Sequence, residues 1–333
     1  MIISAKYHGP TPHHVYMSQD ERRGHPEYVM TRSSLCRFWE NAKLWMSGYE
    51  EPSTKALDYG SVVDCMVFTP DDVAKRYQPC PATYLSKGKQ CQTDGCTKKG
   101  SVSPMKTVTC GECGEDRKII EIEKEWDSKS ETCQEYEEAM NKRGIQLIPR
   151  SMWDTATQAV DNLRQDEYVG PILANPATRF QTMCMARYQC KNGLIVPLKI
   201  HIDCEPPDTM LIDGKVTKSI DHKGWTNQVE EYRLDVQSSL YLDVFNKATG
   251  QDRREFRHIL THSKNCQVGR RWMSEEMLRQ GRDGAYKPWG EYLPGYTDMI
   301  EFYSQCIAAN KFPGVDDRDD GGLIKGWSCV EPK

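Results

Sequence analysis

Two strand-like runs of similar length face each other across a short turn in the middle of the chain: RFQTMCMARYQC (179–190) and LIVPLKIHIDCE (194–205) flank Lys191-Asn192-Gly193. Asn-Gly between two such runs is the strongest short-range hairpin signal, so these residues commit the chain to an antiparallel pair at its centre. A third strand is expected at TMLIDGKVTKS and a fourth at REFRHILTH. Between them, TNQVEEYRLDVQSSLYLDVFNKATG carries apolar residues at helical spacing up to Gly250 and predicts one long helix. Strands alternating with helices describe an α/β domain whose sheet is covered by helices.

Helical patterns surround this centre. TRSSLCRFWENAKLWMSG has a Ser/Thr cap, apolar Leu35, Phe38, Trp39 and Leu44, and Gly48 as a stop. STKALDYGSVVDCMVFTPDD predicts a helix ended by Thr69-Pro70, with Gly60 one turn before Asp64 on the same face. SKSETCQEYEEAMNKRG, SMWDTATQAVDNLRQDEYVGPILAN, stopped near Gly170-Pro171, and GYTDMIEFYSQCIAAN read likewise. Residues 1–30, rich in Pro, His and charge, predict an extended arm with a solvated His13-His14, and an acidic run, DDRDD (316–320), lies near the end.

Strand alternation puts Lys199, His201 and Asp203 on one face, and Asp213 and Lys215 on one face with Gly214 between them. Two acids and a lysine therefore converge at the ends of neighbouring strands. Phosphodiester hydrolysis needs such a set: hard oxygen ligands hold Mg²⁺ beside the phosphate, the metal acidifies a bound water, and a cation offsets developing charge. An isolated Asp-x-Lys is more often a solvated strand edge. The context raises it, because an Asp lies ten residues upstream and the following helix carries Gln237 and Tyr241 one turn apart.

These residues resemble the PD-(D/E)XK nucleases, and within them the branch containing exonuclease VIII (RecE-type), lambda exonuclease and RecB nuclease domains. The shared marks are an acid, then (D/E)-x-K, then Q-x-x-x-Y, present as IHIDC, MLIDGKVTKS and DVQSSLYLDVF; TRSSLCRFWENAKLW and ALDYGSVVDCMVFTPDD look like the opening helices of the exonuclease VIII type. The resemblance covers most of the chain and implies a restriction-endonuclease-like core with a central mixed sheet. It implies Asp203 and Asp213 as ligands for Mg²⁺ or Mn²⁺ with the Gly214 carbonyl also facing the metal, Lys215 positioning the attacking water, and Gln237 and Tyr241 against the DNA backbone. Two positions depart from the pattern. Asp64 stands where the family usually has a metal-binding histidine, and aspartate is itself a good ligand for these ions. Gln181 stands close to where many relatives carry a glutamate, so it is left out of the ligand set.

The same resemblance implies an exonuclease that resects double-stranded DNA ends in phage-type recombination, a homo-oligomeric ring around DNA, a single-strand annealing protein as partner, and the cytoplasm of a bacterial host. Two alternatives stand beside it: a catalytically altered DNA-binding or inhibitory protein, and a structure-specific endonuclease.

Residues 85–126 have no core-forming period and read as an insertion, so the nuclease domain is expected at 31–84 and 127–333. The insertion holds Cys91-x₄-Cys96 and Cys110-x₂-Cys113, and Cys110-Gly-Glu-Cys113-Gly resembles a zinc-ribbon knuckle. Four local thiolates suit structural Zn²⁺; an iron–sulfur cluster is the alternative. Lys87, Lys89, Lys98, Lys99 and Lys106 make the segment basic, as either a solvated loop or a DNA contact. Of the fourteen cysteines, Cys65, Cys184, Cys190 and Cys204 fit burial, and Cys80 and Cys133 are spare. No window approaches the roughly 18 apolar residues of a membrane helix, and MIISAKYHGPTPHH is no secretory signal, so a reducing cytoplasm is expected and disulfides are not. A net charge of −4 offers DNA no global attraction, so any binding must be local.

Overall fold

The computed structural model describes residues 1–314 apart from Glu51, Ser53 and Pro104; the acidic run at 316–320 lies outside the described residues. The chain forms two compact units, Met1–Thr69 with Thr157–Lys333, and Pro70–Ala156.

In the first unit the elements are, in chain order, β1 (Ile2–Pro10), α1 (His13–Met17), α2 (Arg32–Glu40), α3 (Ala42–Met46), α4 (Lys55–Phe68), α5 (Arg150–Gln165, within which the boundary falls), α6 (Val169–Ala174) and β2 (Arg179–Gln189). There follow β3 (Ile195–Glu205), β4 (Met210–Thr217), α7 (His222–Glu231), α8 (Leu234–Thr249), β5 (Glu255–His262), β6 (Val268–Trp272), α9 (Glu275–Asp283) and α10 (Tyr296–Ala309). The six strands lie side by side in chain order. All neighbours are antiparallel except β4 and β5, which are parallel, so the sheet is mixed as expected.

The central hairpin closes with a three-residue loop. Cys190 N–H donates to Leu194 O, Gly193 N–H returns to Cys190 O at 3.0 Å, and Gly193 alone takes a left-handed φ of +87°. A type I turn followed by a left-handed glycine is the usual three-residue solution.

Several elements differ from their sequence reading. The expected arm begins with β1, which pairs with β2 from Ile2↔Tyr188 to Pro10↔Thr182. Register shifts between Ile2 and Ser4 and between Tyr7 and Gly9 break its period of two, so alternation is not visible in the sequence. The long helix expected before Gly250 is two: Arg233, at φ +50°, separates α7 from α8. That conformation, worth roughly 1–3 kcal/mol of strain, is held by paired bonds from the Arg233 guanidinium to Asp235 and a 2.6 Å bond to Pro294 O. Gly170-Pro171 does not stop a helix but lies in the first turn of α6, where proline's missing N–H costs nothing. Asn41 likewise divides the first predicted helix and caps α3 through Leu44 N–H.

The core centres on α8, whose residues from Leu234 to Leu242 are all buried. Tyr7 of β1 meets Phe245 edge-on at 6.0 Å, and Phe38 of α2 packs on Tyr303 of α10 at 5.0 Å. Asp213, on the sheet's α8 face, is itself buried under this covering.

The second unit is wider than the 85–126 expected for the insertion. Thr83–Gln90 pairs with Lys118–Glu125 and with Val102–Ser103 in a small antiparallel sheet, and Tyr77–Pro79 pairs in parallel with Gln146–Ile148, tying in the flanks.

Candidate active site

The pairing of Cys204 with Ile212 sets the register of β3 on β4, and one residue further on Asp203 stands level with Asp213 on the opposite face of each strand. Like charges across a strand pair repel. The two carboxylates answer this differently. Asp203 Oδ2 accepts the Gly214 N–H at 3.0 Å and Oδ1 accepts the Gln181 amide at 3.2 Å. Burial, then the nearby Asp213 and Asp64 carboxylates, push its acid well above the usual carboxylate range despite Lys215 and that N–H.

Asp213 is held on three sides. Lys215 Nζ lies 2.5 Å from Oδ2, His258 Nδ1 lies 3.2 Å from Oδ2, and Gln237 Nε2 donates to Oδ1 at 2.5 Å. Burial opposes its ionisation, but Lys215 and His258 outweigh burial and hold the carboxyl below its ordinary value. Burial also works against the Lys215 ammonium, and the acids around it reverse the effect and raise it. The site is thus polarised: the carboxyl of Asp213 is held low, the ammonium of Lys215 is held high, and the acid of Asp203 is pushed up.

Asp64 arrives from α4. A Cβ at Gly214 would lie 3.5 Å from its Oδ1 and 2.8 Å from the Phe68 ring, which is why the middle residue of Asp-x-Lys is glycine. Gln181 takes a left-handed φ of +52°, uncommon outside glycine, and that bend brings its amide to Asp203. The structure therefore gathers Asp64, Asp203, Asp213, Gly214, Lys215 and Gln237, and adds Gln181. Tyr241, one turn after Gln237, is buried, and burial raises its phenol against the opposing charge of Arg32.

Lys199 and His201 share the Asp203 face but are otherwise engaged. Lys199 Nζ donates to Tyr16 O at 2.6 Å and Ser18 O at 2.7 Å, and His201 stacks on Tyr16 at 4.6 Å with Nε2 3.0 Å from Thr11 O. Both pin residues 11–18 beside the acids, while His13 and His14 themselves are exposed, as the sequence reading has them, with the His13 ring 6.2 Å from that of His201.

Two residues escaped sequence reasoning. Arg32, in the first turn of α2, donates to Gln237 Oε1 at 2.9 Å and to Tyr232 O at 3.2 Å, and makes no carboxylate ion pair among the described residues. His258 lies in REFRHILTH, and only the parallel register, which sets it beside Asp213, marks it. Asp213 accepts, so Nδ1 carries the proton; burial keeps the imidazole below its ordinary pKa.

In the second unit the Sγ atoms of Cys91, Cys96, Cys110 and Cys113 all lie within 4.8 Å of one another, with Cys91–Cys113 and Cys96–Cys110 each 3.8 Å. A tetrahedral ion with Zn–S bonds of about 2.3 Å places its sulfurs about 3.8 Å apart. The four thiols therefore fit one metal ion. Backbone N–H groups of Cys113 and Glu112 pull the Cys110 thiol down to about 6, and Gly114 turns the knuckle at φ +73°. Gly111, the other glycine of the knuckle, has no positive φ. No disulfide forms among the described cysteines; Cys65, Cys133, Cys184, Cys190 and Cys204 are buried, and Cys80 is partly so.

A family model described as "PDDEXK-like domain of unknown function (DUF3799)" matches residues 32–268. The chain belongs to this PDDEXK-like family. The match spans Asp64, both strand acids, Lys215, Gln237 and Tyr241 of the PDDEXK-like domain, and it spans the cysteine cluster. No curated protein matches the chain. Among solved structures, a Eubacterium rectale protein given as a candidate exonuclease is 15% identical, with TM-score 0.48, covering 90% of this chain and 85% of its own. The protein SSO0001 is 10% identical, with TM-score 0.29, covering 59% of this chain and 77% of its own. Among the described residues, no helix of the PDDEXK-like chain is long and apolar enough to cross a membrane.

Proposed function

We propose that this PDDEXK-like chain is a metal-dependent deoxyribonuclease that hydrolyses phosphodiesters, working as an exonuclease on double-stranded ends. The observation that carries the reading is the meeting of Asp64, Asp203 and Asp213 around Gly214 with Lys215 bonded to one of them. Three hard carboxylates with one ammonium fit Mg²⁺ or Mn²⁺ by donor chemistry, and the upward push on Asp203, due first to burial and then to Asp213 and Asp64, is one a divalent cation would oppose. Asp203, Asp213, Asp64 and the Gly214 carbonyl would hold it. When bound, the ion supplies Lewis acidity and a water acidic enough to attack at neutral pH.

The protein's own contributions follow from its contacts. Lys215, fixed by Asp213, holds and orients the attacking water and faces the charge that builds on the phosphate. Gln237 and His258 keep Asp213 in one rotamer, which preserves the ligand geometry between turnovers. Arg32, bonded to neutral acceptors, keeps its charge available for a phosphate oxygen, and Tyr241 lines the same side. Resemblance alone supports the finer biology: resection in phage-type recombination, a ring around DNA, an annealing partner, and a bacterial cytoplasm. The four cysteines would hold a structural Zn²⁺, in keeping with their 3.8 Å spacing.

The test is degradation of linear duplex labelled at a known end, with covalently closed circles alongside, in Mg²⁺ or Mn²⁺. Loss of linear DNA with intact circles is expected, and Lys215→Ala should lower the rate at least about 100-fold. Circles cut as readily would establish an endonuclease instead. The second reading, a binder without catalysis, is favoured by the Gln181 amide at Asp203 where relatives carry a carboxylate; DNA binding without any degradation would establish it.

A further inference from the structure

β6 ends the sheet, so one of its edges pairs with no strand of the described residues. Its sequence, Val268-Gly-Arg-Arg-Trp272, together with Tyr168 and β5, borders a groove of about 760 Å³. That volume falls within the roughly 300–1,000 Å³ typical of ligand sites.

Tyr168 forms one wall, and its ring is covered by two guanidiniums, Arg257 at 5.6 Å and Arg270 at 5.2 Å. Arg257 is paired with Glu255. Arg270 is exposed and makes no carboxylate ion pair among the described residues, while Arg271 donates to the carbonyls of Ile220 and Arg270. The one acid in the lining, Asp221, is occupied as the N-cap of α7 through Gly224 N–H at 2.9 Å. At the end of the row the Trp272 indole is 69% exposed.

Charges on an edge strand ordinarily discourage pairing with other strands. That accounts for an arginine but not for Trp272, because an exposed indole promotes association. Guanidiniums free of carboxylates beside an open aromatic face are the chemistry that takes phosphates and stacks bases. On a chain of net charge −4, such a cluster is a local attraction of the kind DNA binding requires.

We infer that this groove is a second, non-catalytic contact for a single strand of nucleic acid, with Arg270 on its phosphates and Trp272 stacking a base. The choice of nucleic acid rests on the nuclease reading above; single rather than duplex DNA follows from the open indole, which a paired base cannot reach.

The experiment is fluorescence anisotropy of a fluorescein-labelled oligothymidylate of about 12 nucleotides, titrated with the full chain with no Mg²⁺ or Mn²⁺ added, so that no cleavage intervenes and the cysteine-held metal stays in place. Arg270→Ala and Trp272→Ala should each weaken binding roughly tenfold, and Trp272→Phe should restore most of it. Arg270→Ala should also reduce the log–log salt slope by about 0.7. No binding by the unaltered chain, or equal affinity in both alanine variants, overturns the inference. So does a change in elution volume of Trp272→Ala with oligonucleotide affinity unchanged, which would make the edge a protein contact. The two readings fail separately: Lys215→Ala should lose cleavage and keep this affinity, whereas an unaltered chain that cuts nothing yet loses affinity in the groove variants would overturn only the nuclease.

Discussion

At Asp213 each carboxylate oxygen is claimed by a different element: Gln237 of α8 takes Oδ1, while Lys215 of β4 and His258 of β5 take Oδ2. Removing one partner of a buried charge leaves the charge uncompensated, so His258→Ala should destabilise the fold by about 2–4 kcal/mol in urea denaturation and weaken Mg²⁺ binding at least about tenfold by titration. His258→Asn, which can still donate to Oδ2, should recover part of the metal affinity. At Gln181 the reverse change is informative. Gln181→Glu places another carboxylate against Asp203, already pushed toward protonation by burial and by Asp213 and Asp64. The metal-free protein should therefore melt lower, and Mg²⁺ should raise its Tm more than it raises that of the unaltered chain, in parallel thermal scans. The acids, Lys215 and Gln237 were legible because alternation and helical spacing are local rules. Arg32 and His258 were not, since nothing in Thr31-Arg32-Ser33 or in REFRHILTH shows what lies across a turn or a strand until register and packing are known.

Among the elements, α8 is the support on which the site is hung, and its neighbours approach it closely. At Gly281 of α9 an added Cβ would meet the Asp235 carbonyl and lie 2.6 Å from Ser239 Oγ. Backbone cannot yield as a side chain tip can, so Gly281→Ala should cost roughly 1–3 kcal/mol, read as a lower urea midpoint at unchanged slope. The Asp235 carbonyl belongs to the turn just before Gln237, so the same variant should also slow any cleavage. Strands β2 to β5 and the helices with Thr caps were visible from pattern and punctuation. β1 was hidden by its two register shifts, and the break at Arg233 by a side chain network with Asp235 and Pro294 that has no sequence signature. The second unit's strands were missed because they are largely exposed: in Lys118–Glu125 only Ile120 and Ile122 are half-buried, an alternation too short to stand out.

At the scale of the whole molecule, two compact units are stabilised by different means. The first has an apolar core around α8; the second brings four sulfurs together where few large apolar side chains are buried. Purified protein should carry one equivalent of zinc by elemental analysis, and Cys110→Ser or a strong chelator should remove it and open residues 85–126 to limited proteolysis. A brown, iron-containing preparation would contradict this. Composition excluded little at this scale, because a net charge near neutrality hides local clusters of either sign. The central hairpin has a different consequence, for the lifetime of the protein in a tube. Asn-Gly is the dipeptide most prone to succinimide formation, as the glycine nitrogen attacks the asparagine side chain, and asparagine is among the thermolabile residues. In the folded chain Gly193 N–H is bound to Cys190 O, and the Asn192 amide is held by Ser304 O at 3.2 Å and Leu194 N–H at 3.0 Å, so the attack must wait for the loop to open. Deamidation at Asn192, followed by peptide mapping during storage, should therefore run far slower in native buffer than in urea, making the turn a chemical clock of its own opening.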